Sequence, residues 1–286
     1  MHVKTYRDSG ALLADAQDFF EKEEAKNAIM LSALLSLVPG SEHGKEPPFL
    51  ATVWNGFRLN LVAFMAPPGP LLLSSYQEYL DTAVETLAGN LMASGAHVSG
   101  VLAPCALAAE FASAWTRVGG VVQRLDMHER EFVLREVVFR GAASGCLRPA
   151  MAEDLHRVIQ WSLAFHSDVR MPLPTSQIEA RVRSKLDSGD VYLWEDGGTP
   201  VSMAGKVGST SRSARIGLVY TPPELRGRGY ATSCVAHLSQ RILDSGKDVC
   251  TLSTNLANPI SNRIYERIGY RPVQDVDHYK FEPLPT

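Results

Sequence analysis

Apolar residues recur along this chain at two spacings, and the switches between them mark out its elements. Leu12, Leu13, Ala16, Phe19 and Phe20 fall on one helical face with Ser9 placed to cap it. Ile29, Met30, Ala33, Leu34 and Leu37 form a second stripe, stopped by Pro39-Gly40. Extended patterns follow at Phe49 to Trp54 and Phe57 to Met65, joined at Asn55-Gly56, a pair suited to a tight hairpin. After Pro67-Pro68-Gly69-Pro70 come a short strand, Leu71 to Leu73, and a helix from about Tyr76 to Met92. A strand near His97 to Leu102, a helix from Ala106 to Val118 and an extended run from Val121 to Phe139 complete the first half. Gly141-Ala142-Ala143-Ser144-Gly145 is small and polar, which places a boundary between domains 1–140 and 146–286.

The second half repeats this order. Cys146 to Arg148 is extended, helices start at Ala152 and Thr175, and Val191 to Trp194 pairs with Pro200 to Val207 around Gly197-Gly198. Then come a strand from Arg215 to Tyr220, a helix from about Gly229 to Ser245, a strand from Val249 to Ser253, a helix from Pro259 to Ile268 and closing strands to Phe281. Each half reads helix, helix, three strands, helix, strand, helix, strand, without evident sequence identity between them.

A length of 286 residues suits two cores better than one. Hydrophobic content of 45% and charged content of 21% are those of an ordinary globular chain, and a net charge of −3 gives no basic footprint for nucleic acid or an anionic membrane. The four cysteines show no metal-ligand spacing, so no metal is expected. The N-terminus has no apolar signal core, and Ile29 to Val38 is too short to span a bilayer. A cytoplasmic protein is the expectation; nothing in the pattern sets its oligomeric state.

Chemistry concentrates between Ile216 and Ala231 (IGLVYTPPELRGRGYA). An apolar strand ends in a Pro-Pro turn, and Arg226-Gly227-Arg228-Gly229-Tyr230-Ala231 then opens onto a helix. Two glycines let an anion approach the backbone, and the helix offers N–H groups at its positive end with no capping side chain before it. Further on, Asn258 precedes Pro259, and Ile260, Ile264 and Ile268 are spaced as a buried stripe with Tyr265 about 100° away, at its edge. In the first half the corresponding place reads LLLSSYQE, where Ser75 and Glu78 have capping-box spacing and no Gly-x-Gly occurs.

Taken together, Arg226, Gly229 and Ala231, then Asn258, Ser261, Tyr265 and Gly269-Tyr270, resemble the two motifs of the GNAT superfamily of N-acetyltransferases, over roughly Cys146 to Glu282. The resemblance implies an α/β (α+β) fold of two GNAT-like domains, each a mixed, mostly antiparallel sheet flanked by helices, the first degenerate. It implies acetyl-CoA as cosubstrate, with Arg226, Gly227, Arg228, Gly229, Tyr230 and Ala231 holding the pyrophosphate through backbone amides. Val219, Tyr220 and Thr221 would pair with the pantetheine arm, and Asn258 would bind it from the other side. Tyr265 would protonate or hydrogen-bond the departing thiolate, and the acceptor would be the primary amine of a small molecule, attacking directly.

The strand from Arg215 to Val219 lacks the acidic residue that many members use as a base. His166, Asp168 and Glu195 are the substitutes within the sequence, and Trp161, Phe165, His166 and Met171 lie on the expected acceptor side, with Trp161 and Phe165 read as core. Rival readings are a non-catalytic acyl-CoA-binding module and a tandem transferase with another donor, such as an aminoacyl-tRNA. A dinucleotide fold fails for want of the full GxGxxG spacing.

Overall fold

The computed structural model describes residues 1–37, 47–76, 80–139, 141, 143–171 and 173–284. In chain order its elements are β1 (His2–Thr5), α1 (Ser9–Asp15), α2 (Gln17–Lys22), α3 (Ala28–Leu35), β2 (Phe49–Asn55), β3 (Arg58–Met65), β4 (Leu71–Ser74), α4 (Asp81–Ala93), β5 (Gly100–Pro104), α5 (Cys105–Gly119) and β6 (Val121–Leu134). They continue with β7 (Cys146–Pro149), α6 (Leu155–Asp168), α7 (Thr175–Asp187), β8 (Val191–Asp196), β9 (Thr199–Ser209), β10 (Ser213–Tyr220), α8 (Tyr230–Asp244), β11 (Val249–Asn255), α9 (Pro259–Ile268) and β12 (Arg271–Pro283). Among the described residues no helix is long and apolar enough to cross a membrane.

The chain forms two compact units. Unit 1 comprises Met1–Glu131, Thr254–Asn258 and Val273–Thr286; unit 2 comprises Phe132–Ser253 and Pro259–Pro272. The division falls inside β6, and the chain returns to unit 1 for part of β12.

In unit 1 the strand order is β1-β2-β3-β4-β5-β12, antiparallel except for β4 and β5. Both faces of this sheet are covered, so β3 runs apolar from Leu61 to Met65 rather than alternating. Ala51, Val53, Leu61 and Ala63 pack with Leu87, Leu91, Phe111 and Trp115 of α4 and α5. Leu50, Val62 and Phe64, one residue out of phase, pack with Leu12, Phe20, Met30 and Leu34 of α1 to α3.

Unit 2 has the order β11-β10-β9-β8-β7, antiparallel except for β10 and β11. Val191, Leu193 and Met203 face Val158, Ile178 and Val182 of α6 and α7. Trp194, Ala204 and Ile216 face Cys234, Leu238 and Ile268 of α8 and α9.

One strand was not anticipated, and local expectations are corrected at α1, α4 and α9. β1 joins the edge of unit 1, pairing His2 to Thr5 with Trp54 to Ala51; with Val3 its one apolar residue, it leaves no periodic signal. Asp8, not Ser9, caps α1, its side chain accepting from the Ala11 N–H at 2.9 Å. α4 begins at Asp81 instead of Tyr76, and Leu80 before it supplies no side-chain cap. Ser75 donates its hydroxyl to the Asn60 carbonyl at 2.7 Å instead; Glu78 lies outside the described residues, as do Pro39-Gly40. In α9, Ile260 is 71% exposed while Tyr265 and Ile268 are buried, so Tyr265 belongs to the buried face, not its edge.

Candidate functional site

In unit 2 the parallel partners β10 and β11 are in register only at Ser213–Val249, Ala214–Cys250 and Arg215–Thr251. Past that point β10 continues to Tyr220 without β11, which opens the sheet between them. A bulge sits in the same stretch: Leu218 has φ of 51°, and the register with β9 jumps between Gly217 and Tyr220. Gly217 is forced at its position because a Cβ there would meet Val207 Cγ1 at 2.9 Å. Leu218 and Val219 therefore have no register partner on β9, and their backbone is left for another strand-like partner.

Just beyond, the polar groups of the turn are sorted into used and unused. Ser202 donates to the Tyr220 carbonyl at 3.0 Å and lies 2.9 Å from the Thr221 hydroxyl; Arg226 Nε donates to the Thr221 carbonyl at 2.9 Å. The Arg226 guanidinium also pairs with Asp168 at 2.6 Å and lies over the Tyr220 ring. The Arg226 N–H itself donates to the Pro223 carbonyl at 3.3 Å. Arg226 is thus a brace that fixes the loop by its side chain.

The next five amides are different. Gly227 and Gly229 take φ of 79° and 82°, a left-handed conformation that side chains other than glycine adopt only with strain. Nothing stands within 4 Å of where a Gly227 Cβ would be, and only Ala143 Cβ, at 3.9 Å, approaches that of Gly229. No side chain caps α8, whose first bond runs from Ser233 N–H to the Gly229 carbonyl at 3.0 Å. Gly227 to Ala231 therefore present backbone N–H groups, without acceptors among the described residues, at the positive end of a 15-residue helix. The Tyr230 ring points away into the core, its hydroxyl donating to Asp196 Oδ2 at 2.7 Å, so at this residue only the backbone is on offer.

Tyr265 shares a core cluster with Tyr230, Leu252 and, at its margin, Val219. Its ring packs edge-on against Tyr270 and beside Phe132, and its hydroxyl makes no hydrogen bond among the described residues. Burial pushes its phenol up to about 12, because the charged form would be stripped of water. Asn258 lies on the Thr254–Asn258 segment of unit 1, exposed, with its N–H donating to the Asn255 carbonyl at 2.9 Å.

The three substitutes for a base are all engaged. Asp168 is paired with Arg226, and Glu195 accepts from Arg148 Nε at 2.6 Å. His166 has its Nδ1 3.1 Å from the Met171 carbonyl, and burial lowers its pKa. Trp161 and Phe165 are part of the α6 packing layer, with Trp161 6.1 Å from the Tyr220 ring, whereas Met171 is exposed. Sequence reasoning missed the bulge at Leu218 and the brace formed by Arg226 and Asp168. The first has no residue signature, and the second joins positions 58 apart.

The FR47-like protein family matches residues 197–279, the stretch that holds β9 to α9. No curated protein matches the sequence. Among solved structures, a GNAT-family acetyltransferase from Colwellia psychrerythraea is 12% identical with a TM-score of 0.61, covering 99% of this chain and 100% of its own. A GCN5-related N-acetyltransferase from Sphaerobacter thermophilus is 13% identical with a TM-score of 0.63, covering 99% and 98%. A tandem GNAT protein from the clavulanic acid biosynthesis pathway is 13% identical with a TM-score of 0.58, covering 100% and 99%. The chain accordingly has the fold of the GNAT acetyltransferases in a two-domain layout, and residues 197–279 match the FR47-like protein family.

Proposed function

We propose that unit 2 is an acetyl-CoA-dependent N-acetyltransferase that acylates the primary amine of a small molecule by direct attack in a ternary complex. The observation that carries this is the run of unclaimed amides from Gly227 to Ala231, set where β10 leaves its parallel partner. Those amides suit a pyrophosphate, and Val219 on the bulge suits an extended amide-bearing arm, which together describe coenzyme A. The thioester supplies the acyl group. Tyr265 stays protonated and can donate a hydrogen bond to the sulfur as the C–S bond breaks. Outright transfer from a phenol at about 12 to a thiolate of pKa near ~8.5 is uphill by about 5 kcal/mol, so stabilisation of the thiolate is its main contribution.

Unit 1 we read as having lost donor binding. Its parallel pair β4 and β5 has no Gly-x-Gly after it, and the space beside the pair is filled by polar side chains. Ser74 donates to Asn27 at 2.5 Å, and Gln274 donates to Glu131 and to the Lys26 carbonyl. What remains is a cavity of about 30 Å³, room for about one water.

The test is coenzyme A release across a panel of amines, with Gly229→Glu and Tyr265→Phe alongside. Gly229→Glu adds a side chain at positive φ and a negative charge where phosphate should sit, and abolishes acetyl-CoA binding. Tyr265→Phe keeps binding and lowers turnover by roughly 10²-fold or more. Normal acetyl-CoA binding by Gly229→Glu would refute the cradle; full binding with no transfer to any amine would favour the acyl-CoA-binding reading.

A further inference from the structure

We propose that Cys105, His128 and Asp277 of unit 1 form a site for one divalent cation of the zinc type. Their Sγ, Nδ1 and carboxylate oxygen lie within 4.8 Å of one another. The Cys105 Sγ is 3.7 Å from His128 Nδ1, which in turn is 2.5 Å from Asp277 Oδ1. Zinc bond lengths of about 2.0–2.3 Å set tetrahedral edges of roughly 3.3–3.6 Å. The sulfur–nitrogen edge is close to that length already. The nitrogen–oxygen edge has to open by about 0.8 Å, exchanging one hydrogen bond for two metal bonds.

Rigid elements hold the set. β5 and β12 pair Pro104 with Val276 and Ala103 with Asp277, which brings Cys105, the first residue of α5, beside Asp277. His128 comes from the long strand β6, and its half-exposed ring leaves a fourth position open to water. Asp275, the other carboxylate nearby, is held by Arg130 through two bonds of 2.7 and 2.8 Å, leaving Asp277 as the ligand. Asp277 itself is 8% exposed, a buried carboxylate whose hydrogen bonds go to the other two members of the set, His128 and Cys105.

The chemistry of the set selects among uses. Thiolate, imidazole and carboxylate suit zinc and exclude magnesium and calcium, which want oxygen alone. Binding replaces the Sγ–H bond with Sγ–Zn and releases that proton to solvent, while the proton of the Nδ1–Oδ1 hydrogen bond moves to Nε2 of the neutral imidazole, with no change of oxidation state. Thiolate and carboxylate then offset the two positive charges. A nucleophilic Cys–His–Asp relay does not fit, since it needs the two ring nitrogens to face different partners, and here Nδ1 faces both.

The experiment uses the full chain, freed of metal with a chelator and titrated with Co²⁺ and then Zn²⁺. One equivalent of Co²⁺ should give a thiolate charge-transfer band in the near ultraviolet that Zn²⁺ abolishes. Iodoacetamide labelling, read peptide by peptide, should show Zn²⁺ protecting Cys105 and chelator restoring its reactivity, with exposed Cys146 labelled at one rate throughout. Cys105→Ser should lose the band and weaken Zn²⁺ binding by at least ~10-fold, the least that even outer-sphere changes cost. If that variant does not fold, the wild-type labelling decides alone. Unprotected Cys105 at one equivalent of Zn²⁺, or a band that survives Cys105→Ser, overturns the site.

Discussion

Tyr265 and the three engaged acid–base candidates decide how this molecule should respond to pH. Burial raises the Tyr265 phenol to about 12, so it remains neutral over the whole range in which the protein would work. Asp168 and Glu195 are held by arginines, and the His166 pKa is moved down, so above that lowered value the ring is neutral and bonded to a carbonyl. With these three candidates engaged, the expected route for the proton of the proposed acceptor amine is to water. The expectation is a kcat/KM that climbs between pH 6 and 10 with a midpoint at the pKa of the amine used. Two amines of different pKa, measured in parallel, check this: a midpoint common to both would mean a base on the enzyme. At this scale the sequence was readable where backbone freedom is written in residue type, as at Gly227 and Gly229. It was misleading at Tyr265, because three isoleucines at spacing four suggested a stripe whose first member faces water.

Elements were legible where a periodic face is long and both neighbours are apolar, as in α8 or β3, and illegible where an element is short, exposed or fixed by partners far away. β1 shows the first failure, with four residues and a single apolar one. α4 shows the second: Tyr76, which by composition belongs to the helix, donates its hydroxyl to the Phe19 carbonyl at 2.9 Å and stays outside. The start of unit 2 is tied by a comparable long-range device. Arg148 on β7 donates to Glu195 on β8 at 2.6 Å and to both oxygens of Asp154 at 2.6 and 3.0 Å, and Asp154 also accepts from the Met151 N–H at 2.8 Å. Arg148 holds the Asp154 carboxyl below the usual range, so the pairing stabilises the fold above an ordinary aspartate pKa of ~3.9 and is lost as pH falls through the lower folded value. Asp154→Asn should cost about 2–4 kcal/mol at pH 7, between an exposed and a buried pair. Urea titrations at pH 7 and pH 3 test this; the deficit should shrink at the lower pH, and an equal deficit at both would assign the effect to packing.

At the scale of the whole molecule the sequence showed two halves in one order, but not that the chain would divide within β6 and come back. Unit 1 draws residues from 1–131, 254–258 and 273–286, so a cut near 140 removes from it the strand that pairs with β5 at Gly100 to Pro104. A fragment of residues 1–140 should therefore be poorly soluble with an open sheet edge, and adding a peptide spanning 271–284 should recover soluble material. Solubility and amide exchange at Val101 to Ala103 would report it; a fragment that is soluble and protected alone would contradict it.

The late return of β12 also sets a clock. On a ribosome adding about 5–20 residues per second, the interval from Glu131 to Val273 lasts roughly 7–30 s, during which β5 waits with one side unpaired. The nascent chain is thus most vulnerable to misassembly in the middle of its own synthesis. A premature stop after Pro272 would leave every residue of unit 2 in place while stranding unit 1 permanently in that waiting state.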